Sequence, residues 1–201
     1  MEEHSDSNGG GPDEPVFGEI PAEILELAEN CRSFVFQAIG IELDYEAETL
    51  PILDEYVRRA STTVDDRPDA ARLVAATAGA YFGEVVRRRL DGFWRKLGPK
   101  EADYQLCARH ALLAMSPVGM VLDAMAGGGE HGGPSAELVL APDDREAAAT
   151  RLAEFPPVSE RDYYLLSTRL EVIEVVHRTL REQMKKEGRE DIVFEPADYE
   201  D

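Results

Sequence analysis

At 201 residues the chain exceeds one domain of roughly 150 residues, and the surplus shows at both ends. Residues 1–20 hold six acids and no Lys or Arg, and residues 188–201 hold six acids against Arg189 alone. The net charge of −20 disfavours nucleic acid and anionic membrane surfaces, both of which need a basic face, while a hydrophobic share of 43% is enough for a core. The small-residue stretch from Leu73 to Gly83 is shorter than the ~20 residues a bilayer crossing requires. No basic or apolar leader opens the chain, so a cytoplasmic protein is expected, and Cys31 and Cys107 read as core residues rather than a disulfide.

Residues 1–18 and 188–201 are acidic and poor in apolar anchors, which predicts disordered tails around a single domain at 19–187. From Pro21, the residues Ile24, Leu27, Ala28, Cys31, Phe34, Val35 and Ala38 recur at helical intervals up to a stop at Gly40. Thr49 as a cap and Pro51 in the first turn predict a second helix that buries Leu50, Leu53, Tyr56, Val57 and Ala60. Asp54 with Arg58, and Glu55 with Arg59, fit i,i+4 ion pairs on its surface. Asp66 as cap and Pro68 in the first turn open a third helix that runs unbroken to Leu90. Along it Ala71, Ala75, Gly79 and Gly83 recur every four residues, a ridge with almost no side chain that predicts a close helical neighbour.

After Gly92 the period shortens. Residues 93–97 and 104–109, continued by 111–115, read as short strands, although 105–113 also suits a helix. Ser116 and Pro117 then open a short helix through Met125, which the run Gly127-Gly128-Gly129 ends. Residues 127–135 read as a mobile loop and 137–140 as a further strand. Asp143 or Asp144 caps a helix through Ala153, and Ser159 with Asp162 opens a last helix to about Lys186. Its seam of Leu166, Leu170, Ile173, His177, Leu180 and Met184, widened by Leu165, Val172 and Val176, faces a core. These elements predict one α+β domain, mainly helical, with a small antiparallel sheet packed on the third helix and a long C-terminal helix.

Chemistry-bearing motifs are sparse. Gly127, Gly129 and Gly132 form a G-x-G-x-x-G, but without the strand before and helix after that dinucleotide binding needs. Cys107-x-x-His110 and Glu130-His131 are each half a site at most, so no metal and no cofactor is expected. His177 reads as a core histidine, and Arg87-Arg88-Arg89 as a helix end matched to its dipole. Glu84 is the exception, because it shares a helix side with Thr77, Ala80, Tyr81 and Arg88, and a buried carboxylate needs a partner. One reading is a structural ion pair of Glu84 with Arg88, with Trp94 packed against it. The other is a polar binding pocket lined by Tyr81, Glu84, Arg88 and Trp94.

The residues Gly79-Ala80-Tyr81-Phe82-Gly83-Glu84, then Gly92 and Trp94, then Ser116-Pro117, carry a resemblance. With the preceding Leu50-Pro51-Ile52-Leu53-Asp54, this stretch resembles a loose group of uncharacterised bacterial domains. In that group a Gly-Ala-Tyr-x-Gly-Glu helix is followed by Gly-x-Trp and a later Ser-Pro helix start. The likeness spans about residues 41–125, implies a small α+β domain and carries over no catalytic residue. Asp91-Gly92-Phe93 stands where the group has a more Gly-rich turn.

The missing motifs, acidic body and charged tails lead to the expectation of a non-enzymatic protein-interaction module, of inhibitor or immunity type, that binds a basic partner. The alternative is a small-molecule binder or enzyme using Tyr81, Glu84, Arg88 and Trp94. Oligomeric state is not set by the sequence.

Overall fold

The computed structural model describes residues 19–64 and 67–200, so the expected N-terminal tail and the Asp66 cap lie outside the described residues. Helix α1 (Ala22–Ile39) buries Ile24, Ala28, Cys31 and Val35, one face at helical spacing, and Gly40 ends it in the left-handed conformation. Helix α2 (Leu50–Val64) follows a short 3-10 turn. Thr49, expected to cap α2, instead donates its hydroxyl to the Asp44 carboxylate at 2.9 Å. Helix α3 (Pro68–Leu90) has Pro68 at its first position, with Arg67 before it.

From Thr77 to Val86 every residue of α3 is buried, because α1, α2, two later helices and two strands surround it. A helix enclosed on all sides needs small residues where its neighbours come nearest. At Gly79 the neighbour is α4 (Pro117–Ala126): a Cβ added there would lie 2.9 Å from Val118 Cα and 3.0 Å from its nitrogen. The two backbones therefore touch at this point, as the small-residue ridge predicts.

Strands β1 (Gly92–Lys96), β2 (Tyr104–Ala108), β3 (Leu113–Met115) and β4 (Val139–Leu140) form an antiparallel sheet in sequence order. Side chains alternate between its faces. Trp94, Leu106 and Met115, aligned across three strands, join the main core with α3, whereas Phe93, Cys107 and Ala114 form a second cluster on the opposite face. Both cysteines are buried and free. Ser116 caps α4 by accepting the Gly119 N–H at 3.1 Å, as its position before Pro117 predicts.

Helix α5 (Pro142–Leu152) starts two or three residues earlier than expected: Pro142 takes the first position, and Asp143 and Asp144 lie in the first turn, where the helix dipole favours acids. The last helix is divided. Ser159 caps only α6 (Glu160–Tyr163), Leu165 turns extended with ψ 137°, and α7 (Leu166–Lys186) starts afresh. Among the described residues no helix is long and apolar enough to cross a membrane.

The largest departure from expectation is the segment after Glu187, read from composition as a disordered tail. The structure lays it across the outer sheet face: Phe194 N–H donates to Arg109 O at 2.7 Å, and the Tyr199 ring meets Phe93 edge-on at 5.8 Å. The Tyr199 hydroxyl lies 2.6 Å from Ala108 O and 3.0 Å from Ala111 O. Composition averages over the acids and misses one well-placed tyrosine. Tyr199→Phe is expected to lower unfolding free energy by about 1 kcal/mol, the net worth of a typical hydrogen bond, and deletion of residues 189–201 by more. Urea unfolding checks this; two unchanged midpoints would show that the segment adds nothing.

Candidate functional site

Glu84 is 1% exposed, and its position on the enclosed part of α3 forces its charge to be matched. The guanidinium that matches it belongs to Arg87, not to Arg88 as the sequence suggested. Arg87 Nε donates to Oε1 at 2.9 Å and Nη2 to Oε2 at 3.2 Å, and Trp94 Nε1–H donates to Oε1 at 2.7 Å. Residues three and four places on flank a helical position equally, so spacing alone does not choose between them. The Trp94 ring lies directly over Gly83, in the volume a Cβ would occupy. Gly83 admits the indole and Glu84 binds its N–H, which gives the Gly-Glu pair and the later Trp one physical purpose.

Arg88 turns the other way, its guanidinium 4.2 Å from the centroid of the Tyr45 ring. That ring stacks on buried Tyr81 at 4.8 Å with an interplanar angle of 21°, and the Tyr45 N–H donates to the Tyr81 hydroxyl at 2.8 Å. The four residues proposed from sequence thus divide into two adjoining clusters: Glu84 and Trp94 with Arg87, and Tyr81 and Arg88 with Tyr45. With Tyr81 and Glu84 buried, neither presents a face to a solute.

Tyr45 is the residue the sequence reading missed. Its φ of 66° is left-handed, a conformation costing a non-glycine residue about 1–2 kcal/mol. Three further contacts hold it there: its hydroxyl donates to Glu29 at 2.7 Å, Glu29 pairs with Arg32 at 2.8 Å, and Arg32 Nε donates to Leu43 O at 2.8 Å. Burial, reinforced by the Glu29 carboxylate, pushes the Tyr45 phenol well up, and the hydrogen bond from Tyr45 brings the Glu29 carboxyl down. At neutral pH the phenol is therefore neutral and the carboxylate charged.

The last turn of α1 displays Phe36, 50% exposed, and the loop so held displays Ile41, 48% exposed, with the exposed carboxylates of Glu42, Asp44, Glu46 and Glu48. A depression of about 210 Å³ lies against it, lined by Glu29, Arg32, Ser33, Phe36, Glu42 and Leu43. The available signal was the alternation of acids at every second residue from Glu42 to Glu48.

Asp54 has no pair with Arg58 of the kind expected. It is buried on α2 and accepts the Leu166 N–H at 2.6 Å, the Ser167 N–H at 3.3 Å and the Ser167 hydroxyl at 2.6 Å, so it caps α7 from another helix. Burial raises its carboxyl pKa against the opposing effect of these hydrogen bonds. Glu55 takes both guanidiniums instead, Arg58 at 2.7 Å and Arg59 at 2.6 Å. Asp54→Ala is expected to cost about 1–3 kcal/mol in urea unfolding, because it strands buried donors, with Asn restoring part of the loss. An Ala variant as stable as the parent would mean that water caps α7 equally well. Beside Asp54 a cavity of about 810 Å³ opens between α2 and the α6–α7 junction, with Pro51, Val57, Ala124 and Leu165 among its walls.

Arg169 joins α4 to α6 and α7 by pairing with Asp123 and lying 4.3 Å from the centroid of the Tyr163 ring. His177 differs from a backbone-bonded core histidine. Its Nε2 is buried with no hydrogen-bond partner among the described residues, and burial pushes its pKa down to about 4. Burial pushes the Cys107 thiol up to about 12, and His110 instead approaches Asp91 at 3.2 Å. Among the described residues no three His, Cys, Asp or Glu side chains converge as metal ligands. Gly127, the first glycine of the G-x-G-x-x-G, ends α4 in the left-handed conformation rather than leading into a phosphate-binding helix. No protein-family model, no curated protein and no solved structure matches the chain.

Proposed function

We propose that the protein is a non-enzymatic binding module for a basic protein partner, in an inhibitor or immunity type of role, with the surface around residues 29–48 as its working face. The supporting observation is the exposure of Phe36 near the end of α1 and of Ile41 just after it, next to the carboxylates of Glu42, Asp44, Glu46 and Glu48 on a loop held by the Tyr45 contacts. Exposed aromatic and aliphatic anchors supply affinity at the centre of an interface, and a charged surround selects and steers the partner. A loop already fixed loses little freedom on binding. The net charge of −20 extends the attraction for a basic protein beyond the contact itself.

Affinity capture from the native cell at low and high salt tests the proposal. The expected eluate is dominated by one basic protein that high salt releases. An acidic partner, or capture indifferent to salt, overturns the reading.

A further inference from the structure

We infer that the cavity of about 810 Å³ beside Asp54 binds a small organic cation, an amine carried on an apolar body. None of its lining residues belongs to the surface at residues 29–48, so this site is separate from the proposed partner face. The volume lies within the range of ligand pockets, and Pro51, Val57, Ala124 and Leu165, with Tyr164, give the ligand body an apolar wall. Asp54 sets the charge of the ligand. It is 8% exposed, and every hydrogen bond it accepts comes from a neutral donor: the N–H groups of Leu166 and Ser167 and the Ser167 hydroxyl. A buried carboxylate without a countercharge carries a desolvation cost that a bound cation offsets. A carboxylate has about four lone-pair positions, so these bonds leave one for an N–H of the ligand.

The rest of the lining does not supply that countercharge. Its charged residues are Asp54, Glu55, Glu160 and Asp162 against Arg58 and Arg161. Arg58 is held on Glu55 by two bonds of 2.7 Å, and the exposed Arg161 stands between Glu160 and Asp162 in the chain. Even when Arg59, which shares Glu55 from outside the lining, is included, the acids exceed the bases, and Asp54 is the buried one. Anionic ligands are therefore repelled. A bare metal ion does not fit either, because among the described residues no three His, Cys, Asp or Glu side chains converge. An ammonium on an apolar body satisfies both the carboxylate and the wall.

Amide NMR of the full chain, titrated with phenethylamine, phenethyl alcohol and phenylacetate, tests this with three probes of similar shape and different charge. The amine is expected to bind with a Kd of about 1 mM, ordinary for so few atoms, and to shift the signals of residues lining the cavity. The alcohol and the acid are expected to bind about tenfold more weakly or worse, the loss of one charged hydrogen bond. Asp54→Asn, which keeps the shape and part of the α7 cap, is expected to weaken amine binding by about the same factor and to leave the alcohol unchanged. Ser61→Phe fills the cavity without altering a charge, and is expected to abolish binding of every probe. The comparison of probes on the wild type decides by itself where Asp54→Asn fails to fold. No shift at cavity residues with ~20 mM amine, an alcohol or acid bound as tightly as the amine, or wild-type amine affinity in a folded Asp54→Asn or Ser61→Phe variant overturns the inference.

Discussion

Gly79→Leu is expected to destabilise the protein by about 3 kcal/mol or more, at the upper end of what overpacking costs. Most core overpacking is relieved by a neighbouring side chain changing rotamer. At Gly79 the obstacle is main chain, since Val118 Cα and N stand at 2.9 and 3.0 Å from the position a Cβ would take. Relief therefore means moving α4, and α4 follows β3 with Ser116 alone between them and is tied near its end by the Asp123 pair with Arg169. Gly79→Ala should already cost about 1–3 kcal/mol, despite the higher helix propensity of Ala. Urea unfolding of the two variants decides: equal midpoints to the wild type would show that α3 and α4 separate freely.

The second large effect is expected at Arg87. Arg87→Met leaves the Glu84 carboxylate buried with the Trp94 N–H as its remaining bonded donor, and an uncompensated buried charge costs about 3–5 kcal/mol. The double variant with Glu84→Gln should lose less than the two single losses combined, because no charge is then stranded. Arg88→Met provides the contrast. It gives up a contact with the exposed side of Tyr45, worth about 0.5–1 kcal/mol. Equal losses for Arg87→Met and Arg88→Met, or single losses that add without coupling, would contradict the assignment of Glu84 to Arg87.

The helices and strands were legible in the sequence because their signals are local. Ile24, Ala28, Cys31 and Val35 repeat along α1, and Trp94 and Phe93 alternate along β1, each pattern carrying its own burial. The candidate site was legible only in part. Burial of Glu84 followed from its neighbours on α3, but the choice between Arg87 and Arg88 depends on which side of the helix Trp94 and Tyr45 occupy. Those positions are set by tertiary contact. Asp54 likewise looks like half of a surface pair until α7 arrives, from 112 residues along the chain, to present its unpaired N–H groups. Tyr45 carries no sequence mark of its left-handed backbone, which is held by partners on α1 and α3. Tyr199 was hidden by the acids around it.

The most direct measurement on the working face compares proteins captured from the native cell by the wild type, by a Phe36→Ala, Glu42→Lys variant and by a Phe155→Asp, Val158→Asp variant. All four substituted positions are exposed, so melting temperatures within a few degrees of one another are expected. The account predicts that a basic protein held by the wild type is lost with the Phe36 and Glu42 changes and kept with the Phe155 and Val158 changes. A partner retained through the Phe36 and Glu42 changes would contradict it.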